Sequence, residues 1–193
     1  MSIREAQYSI RPAHKSECRR IAELYRVSSD GVADYIWTKL AQPGEDILEV
    51  GRRRYEREGT PFSYENCRMV ELQGNVVGML VAFPMEVDEE YKEPDPVLVP
   101  YSLLEEDRSY YICGMAVDEG RRGKGIGTAL LNEAERSCRQ LGLEKLSLIV
   151  FDQNVEAKRL YERFGYVATR RHPVFPHPLI HYTGDALLMV KGL

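Results

Sequence analysis

The chain has 193 residues, 44% of them hydrophobic, which is enough for one domain with its own core. A net charge of −4 argues against a general nucleic-acid surface, and no apolar run approaches the ~20 residues that cross a bilayer, nor do residues 1–10 show the basic-then-apolar order of a leader. Cys18, Cys67, Cys113 and Cys138 have no C-x-x-C spacing, so they read as reduced thiols of a cytoplasmic protein without a disulfide frame or a zinc site.

Tyr8, Ile10 and Pro12 alternate as a short strand, and Cys18, Ile21, Leu24 and Tyr25 then recur at helical spacing. Val32, Tyr35, Ile36 and Leu40 keep that spacing up to Pro43-Gly44. Ile47, Leu48 and Tyr55 resume it before Gly59-Thr60-Pro61, which predicts a broken helical pair. Arg52, Arg53, Arg54 and Arg57, beside Glu56 and Glu58, read as a solvated face of its second half. Cys67–Leu72 and Val76–Phe83 flank the polar turn Gln73-Gly74-Asn75 as a hairpin. Pro84 to Arg108 carries nine acidic residues against two basic ones, a local charge of −7. Tyr91, Val97, Leu98, Val99, Tyr101, Leu103 and Leu104 are interleaved there and predict that its second half packs. Tyr110–Val117 makes a fourth strand. Ile126, Leu130, Ala134, Cys138 and Leu141 mark one face of a helix ending at Gly142. Leu146, Leu148 and Val150 form a fifth strand. Asn154 can cap a helix whose inner face is Ala157, Leu160, Tyr161 and Phe164, stopped by Gly165. Strands near Tyr166–Arg170 and Ala186–Val190 close the chain. Between them, His172, His177 and His181 lie in a Pro-rich stretch that reads as an extended loop over residues 171–184 rather than a metal site. The whole predicts one α+β domain over residues 1–193, with a mixed, mostly antiparallel sheet of about seven strands and about four flanking helices.

The most specific local signal is Val117-Asp-Glu-Gly-Arg-Arg-Gly-Lys-Gly-Ile-Gly-Thr-Ala-Leu-Leu131, where Gly123, Gly125 and Gly127 alternate between a strand and a helix. Glycine permits positive φ and close approach of a ligand, and the first amides of the following helix have no internal partner, so the turn suits a phosphate. A Walker A loop fails because Gly125 follows Lys124 and Asp118 stands at the first glycine position. A dinucleotide fingerprint fails because Thr128 or Leu130 occupies its last glycine position. What fits is Arg122-x-x-Gly125-x-Gly127, which resembles the acyl-CoA signature of the GNAT superfamily of N-acyltransferases. The downstream segment Asn154-Val-Glu-Ala-Lys-Arg-Leu-Tyr161-Glu-Arg-Phe164-Gly-Tyr166 resembles the same family, as do Ile10-Arg-Pro-Ala13 and Val77-Gly-Met79, so the likeness spans residues 7–170. Pro84–Arg108 and the histidine-bearing stretch depart from it.

The resemblance implies acetyl-CoA as cosubstrate and no metal. It implies a splay of the fourth and fifth strands at Met115, Ala116 and Val117, where pantetheine adds to the strand edge through main-chain hydrogen bonds. The amides of Arg122, Gly123, Lys124, Gly125, Ile126, Gly127 and Thr128 would hold the pyrophosphate, with Arg121, Arg122 or Lys124 supplying charge. Asn154 would contact pantetheine as well as cap its helix, and a main-chain amide near Met115–Val117 would meet the oxyanion. Tyr161 matches the tyrosine that protonates the departing thiolate, although its spacing alone suggests core packing. An alkyl amine of pKa ~10.4 is almost wholly protonated at neutral pH and needs a base. The fourth strand has no carboxylate, which leaves Glu71, Asp152 or the acids of Pro84–Arg108 as alternatives. Cys113 has no histidine near it in sequence and reads as a buried thiol, not a nucleophile. The acidic segment reads either as a solvated excursion or as a partly ordered lid bordering the acceptor site, where its negative field would gather cationic amines, and the lid is the preferred reading. The function implied is direct acetyl transfer, within a ternary complex, to a primary amine of a small cationic molecule, by a monomer or homodimer without nucleic-acid or membrane partners. The alternatives are acetylation of a protein lysine or N-terminus, and a non-catalytic acyl-CoA sensor.

Overall fold

The computed structural model describes residues 8–193, so the expected lack of a leader over residues 1–10 and the first matched position, residue 7, fall partly or wholly outside the described residues. In chain order the elements are β1 (Ser9–Pro12), α1 (Cys18–Ser28), α2 (Val32–Leu40), α3 (Ile47–Glu56), β2 (Cys67–Leu72), β3 (Asn75–Met85), α4 (Val99–Ser102), β4 (Ser109–Val117), α5 (Ile126–Gln140), β5 (Lys145–Phe151), α6 (Val155–Arg163), β6 (Val167–Pro173) and β7 (Asp185–Gly192). The strands form one sheet of order β1-β2-β3-β4-β5-β7-β6, antiparallel except for the β4–β5 pair. Among the described residues six α-helices flank it where about four were expected, and the single turn α4 lies inside the acidic segment. Pro100 is the second residue of that turn, where a helix amide has no internal partner and a missing N–H costs nothing.

Each face of the sheet buries its own cluster. Ile126, Leu130, Leu131, Ala134 and Cys138 of α5 lie on Leu80, Ile112, Leu146 and Leu148. On the other face, Ile21, Ala22, Leu24 and Tyr25 of α1 pack with Trp37, Tyr55, Met69, Met79 and Val81. A third cluster joins Tyr35 of α2 to Val97, Leu104, Phe151, Val174, Ile180 and Leu188, so the second half of the acidic segment is part of the core. The Tyr35 hydroxyl donates to Asp95 at 2.8 Å and Lys39 pairs with the same carboxylate at 2.5 Å, which ties that segment to α2.

Four expectations are corrected. Leu141 is 55% exposed because α5 ends at Gln140, one residue before the apolar pattern does. The inner face of α6 is only half-buried, since Ala157, Leu160, Tyr161 and Phe164 pack on the rim of the α5 cluster. Strand β6 runs on through Arg171, His172 and Pro173, paired with β7 at the sheet edge, so the extended loop starts later than the prolines suggested. Arg54 leaves the solvated face. Its guanidinium lies 4.0 Å over the Phe62 ring, whereas Arg52 and Arg53 pair with Glu49 and Glu45.

The sheet opens at one place. β4 and β5 pair only through Tyr110–Leu146, Tyr111–Ser147 and Ile112–Leu148. At the closed end the buried Ser147 and Ser109 hydroxyls meet at 2.6 Å, and Ser109 donates onward to the Glu106 carbonyl at 2.7 Å. Immediately beyond the last pair, β3 passes from Val81–Gly114 to Ala82–Ile112, which makes Cys113 a bulge residue. A bulge bends and twists its strand. From Gly114 to Val117, β4 therefore keeps β3 on one side and, among the described residues, has no strand on the other.

Candidate active site

A cavity of about 970 Å³ enters through this splay. One wall is the unpaired edge with Met115, Ala116 and Val117, continuing into Arg121, Arg122, Gly123, Gly125, Ile126, Gly127 and Thr128. Gly123 and Gly125 hold φ of 72° and 79°, which turns the chain so that the first amides of α5 face outward. Among the described residues, no backbone acceptor meets the amides from Gly123 to Thr128, and the first bond of the helix runs from Ala129 to the Gly125 carbonyl. Unpaired donors at the positive end of a helix dipole form an anion cradle, and open space surrounds the Cα of Gly123 and Gly125. The pyrophosphate of acetyl-CoA fits such a cradle. Arg122 Nε is turned back to the Val117 carbonyl at 3.1 Å and Lys124 Nζ to that of Gly120 at 3.3 Å. Lys124 alone of the expected cosubstrate residues is absent from the cavity wall. The turn is anchored below by Arg20, whose Nη2 lies 2.7 Å from both oxygens of Asp118 and 3.1 Å from the Val76 carbonyl.

The opposite side of the splay is α6. Asn154 Oδ1 accepts from the Ala157 amide at 3.3 Å, capping the helix. Its Nδ2 donates to Asp30 Oδ2 at 3.2 Å, and the second Nδ2 proton is left over. Tyr161 lines the cavity about two turns further on. Burial pushes its phenol up to about 12, with the Asp30 charge adding to the shift, so it is protonated throughout the neutral range.

The third wall was not visible as a motif. Ser28 at the end of α1, Ser29 and Asp30 from the α1–α2 turn, Glu93, Tyr101 and Glu105 from the acidic segment, and Tyr182 all reach the cavity. Burial raises the Glu105 carboxyl, and the Tyr101 hydroxyl is buried with no hydrogen-bond partner among the described residues. Of the expected bases, only acids of Pro84–Arg108 reach the wall. Glu71 pairs with Arg11 at 2.8 Å on the sheet edge, and Asp152 sits beside Gly184 outside the cavity. Cys113 also lines the cavity, but burial pushes its thiol up to about 12 and Sγ donates to the Tyr25 hydroxyl at 3.5 Å, so it holds no thiolate.

The three histidines diverge. His177 stacks edge-on against Tyr35 at 4.6 Å, His172 lies against the Pro173 carbonyl, and His181 donates its amide to the Asp30 carbonyl at 3.0 Å. Among the described residues, no group of three or more His, Cys, Asp or Glu side chains is placed to hold a metal ion, and no helix is long and apolar enough to cross a membrane.

Known proteins share this architecture. A protein from Bacillus subtilis (strain 168) designated uncharacterized protein YxbD is 38% identical over 69 residues, which covers 36% of this chain and 41% of that one. The chain spans less than half the length of that and other curated relatives it matches. The solved Drosophila melanogaster polyamine N acetyltransferase superposes with a TM-score of 0.68 at 16% identity, covering 97% of this chain and 100% of that one. A GNAT family acetyltransferase from Elizabethkingia anophelis, solved with acetyl-CoA bound, gives 0.57 at 14% identity, with 96% and 98% coverage. At these identities the two structures speak for the fold. The model of the Acetyltransferase (GNAT) family matches residues 32–166, well over half of the chain and including both the glycine turn and the Asn154–Tyr166 segment, and the chain therefore belongs to that family.

Proposed function

We propose that this chain transfers an acetyl group from acetyl-CoA to the primary amine of a small cationic molecule, by direct attack within a ternary complex. The observation that carries the reading is one cavity lined both by an unpaired strand edge that runs into a phosphate-type turn and by the carboxylates of Asp30, Glu93, Glu105 and Glu156. Acetyl-CoA supplies the activated acetyl thioester. The free edge of Gly114–Val117 would take the pantetheine amides as an added strand, and the amides of Gly123–Thr128 would hold the pyrophosphate. The spare Nδ2 proton of Asn154 is available to the pantetheine arm without loss of the helix cap. A main-chain amide of Met115–Val117 would face the carbonyl oxygen as it gains charge. Tyr161 holds its proton throughout the neutral range and would give it to the leaving sulfur. The acidic wall would gather an ammonium group and let the pocket select a cationic acceptor. The name of the solved polyamine N acetyltransferase agrees with such an acceptor.

The test is thiol release from acetyl-CoA with diamines and polyamines, neutral amino acids, aminoglycosides and lysine-bearing peptides. The expected result is turnover with kcat/KM highest for the short cationic amines. A preference for peptides would move the reading to a protein lysine or N-terminus. Tight acetyl-CoA binding without turnover on any amine would make the chain a sensor and end the proposal.

A further inference from the structure

We propose that Asp30 is the carboxylate that accepts the proton of the acceptor's ammonium group. The inference rests on the reading above, that this cavity acetylates a primary amine, and fills the vacancy left by a β4 strand without acids. Asp30 sits in the turn between α1 and α2, on the wall of the cavity, and Asn154 Nδ2 donates to its Oδ2 at 3.2 Å. That bond places it at the corner where α6 presents Tyr161, so the proton acceptor and the proton donor flank the same end of the splay. Its Oδ1 has no hydrogen-bond partner among the described residues, and no Lys or Arg pairs with it. The other cavity carboxylates are placed differently. Glu93 is spent on its own turn, accepting from the Asp95 amide at 2.9 Å and the Tyr91 hydroxyl at 3.0 Å. Glu105 has no side-chain bond to α6 among the described residues, only its carbonyl taking Arg170, and Glu156, exposed in the first turn of α6, lines the cavity with no hydrogen bond to Asn154.

The turn is held by its backbone. Asp30 adopts φ of 48°, its carbonyl accepts the His181 amide at 3.0 Å, and Gly31 follows with φ of 96°. The groups facing the carboxylate are Asn154 and Tyr161 from α6, Tyr101 from α4, and His181 and Tyr182 from the loop before β7. Burial, and to a lesser degree the Asp30 charge, raises the three phenols. Burial in turn raises the Asp30 carboxyl, against the opposing pull of the Asn154 amide and His181. A raised carboxyl is a better base.

The proton count closes. Asp30 takes one proton from RNH3+, and the freed lone pair forms the N–C bond to the thioester carbonyl. The C–S bond breaks with its electron pair on sulfur, which takes the Tyr161 proton. The tyrosinate recovers a proton from the amide nitrogen, and Asp30 releases its own to water.

Asp30→Asn tests this with little risk to the fold, because asparagine tolerates positive φ and its Oδ1 can still accept from Asn154. With putrescine as acceptor near neutral pH, kcat/KM is expected to fall about 100-fold or more, with the loss in kcat, while acetyl-CoA affinity by calorimetry stays within about twofold. The deficit should narrow as pH rises toward about 10, where the ammonium loses its proton without a base. A deficit under about threefold, one that does not change with pH, a KM effect with kcat intact, or an equal loss of acetyl-CoA affinity would each overturn the assignment while wild-type turnover leaves the parent reading standing. No turnover by the wild type on any amine would overturn both.

Discussion

Gly31→Ala is the sharpest test of how the acceptor wall is built. Gly31 has φ of 96°, and a Cβ placed on it would lie 1.8 Å from the Leu179 carbonyl oxygen and 2.8 Å from its carbon. Both are backbone atoms, so no rotamer change relieves the overlap and the Leu179–Tyr182 segment must shift. Placing a Cβ at positive φ costs about 1–2 kcal/mol, and forcing extra volume into a packed contact adds about 1–3 kcal/mol, for a total of about 2–5 kcal/mol. For a chain of this size that corresponds to a drop in Tm of about 4–20 °C. Gly44→Ala is the internal control, because Gly44 has φ of 79° but nothing within 4 Å of the added carbon. It carries only the conformational part, a fall of about 2–8 °C. Thermal unfolding followed by circular dichroism compares the two. Displacing the segment also strains the bond from His181 to Asp30 and moves Tyr182, so Gly31→Ala should raise KM for the amine and leave acetyl-CoA affinity unchanged. A Gly31→Ala protein that melts no lower than Gly44→Ala, with an unchanged amine KM, would refute the claim that this turn and the C-terminal loop form one rigid wall.

Three further outcomes follow from the site. Tyr161→Phe should lower turnover about ten- to a thousandfold with acetyl-CoA affinity nearly unchanged, and because its phenol titrates only at about 12, the wild type should lose no activity to Tyr161 ionisation at mildly alkaline pH. Unaltered turnover would leave Tyr161 as a packing residue against Tyr166, whose ring centroid is 5.9 Å away. Gly125→Val puts a β-branched residue at φ 79° on the rim of the cradle and should weaken acetyl-CoA binding by about 100-fold or more in calorimetry, and retained affinity would place the pyrophosphate elsewhere. Ser147→Ala removes the hydroxyl that donates to Ser109 while Ser109 keeps its bond to Glu106, so the loss should be about 1 kcal/mol, or about 2–4 °C in Tm.

The sheet and the glycine turn on the cavity wall were legible because both are local. Alternating apolar residues announce β2 to β5, and the hairpin turn carries its own signal in Gln73 and Gly74, with φ of 53° and 77°. The phosphate-type turn is legible for the same reason: its donors are consecutive main-chain amides, and a short run of glycines before a helix is enough to expose them. Asn154 was readable as a cap because capping acts over three residues, and the structure shows its Oδ1 doing that work while Nδ2 reaches a residue far away in sequence. The bulge at Cys113 left no signal. It exists because β3 and β4 differ by one residue in register, a relation between two strands that neither records alone.

The wall proposed for the acceptor was illegible for the complementary reason. Its groups come singly from the α1–α2 turn, the acidic segment, α6 and the loop before β7, and tertiary packing alone makes them neighbours. Sequence weight pointed to Pro84–Arg108, where the charge density is highest, yet most of those acids stand in solvent or fasten the segment down, as Asp95 does to Lys39 and Glu106 to Lys145. Charge count marks where a field originates. It does not mark which carboxylate is left without a cation. Asp30 carried one faint sign, the Asp-Gly pair between two helices, a dipeptide suited to positive φ and ordinarily read as a turn. Here the backbone strain that makes it a turn also aims its carboxylate at α6, so the same two residues end one helix, seat the C-terminal loop and present an unpaired oxygen to the cavity. A carboxylate held by main-chain geometry needs no salt bridge to orient it, and is free to take up a proton.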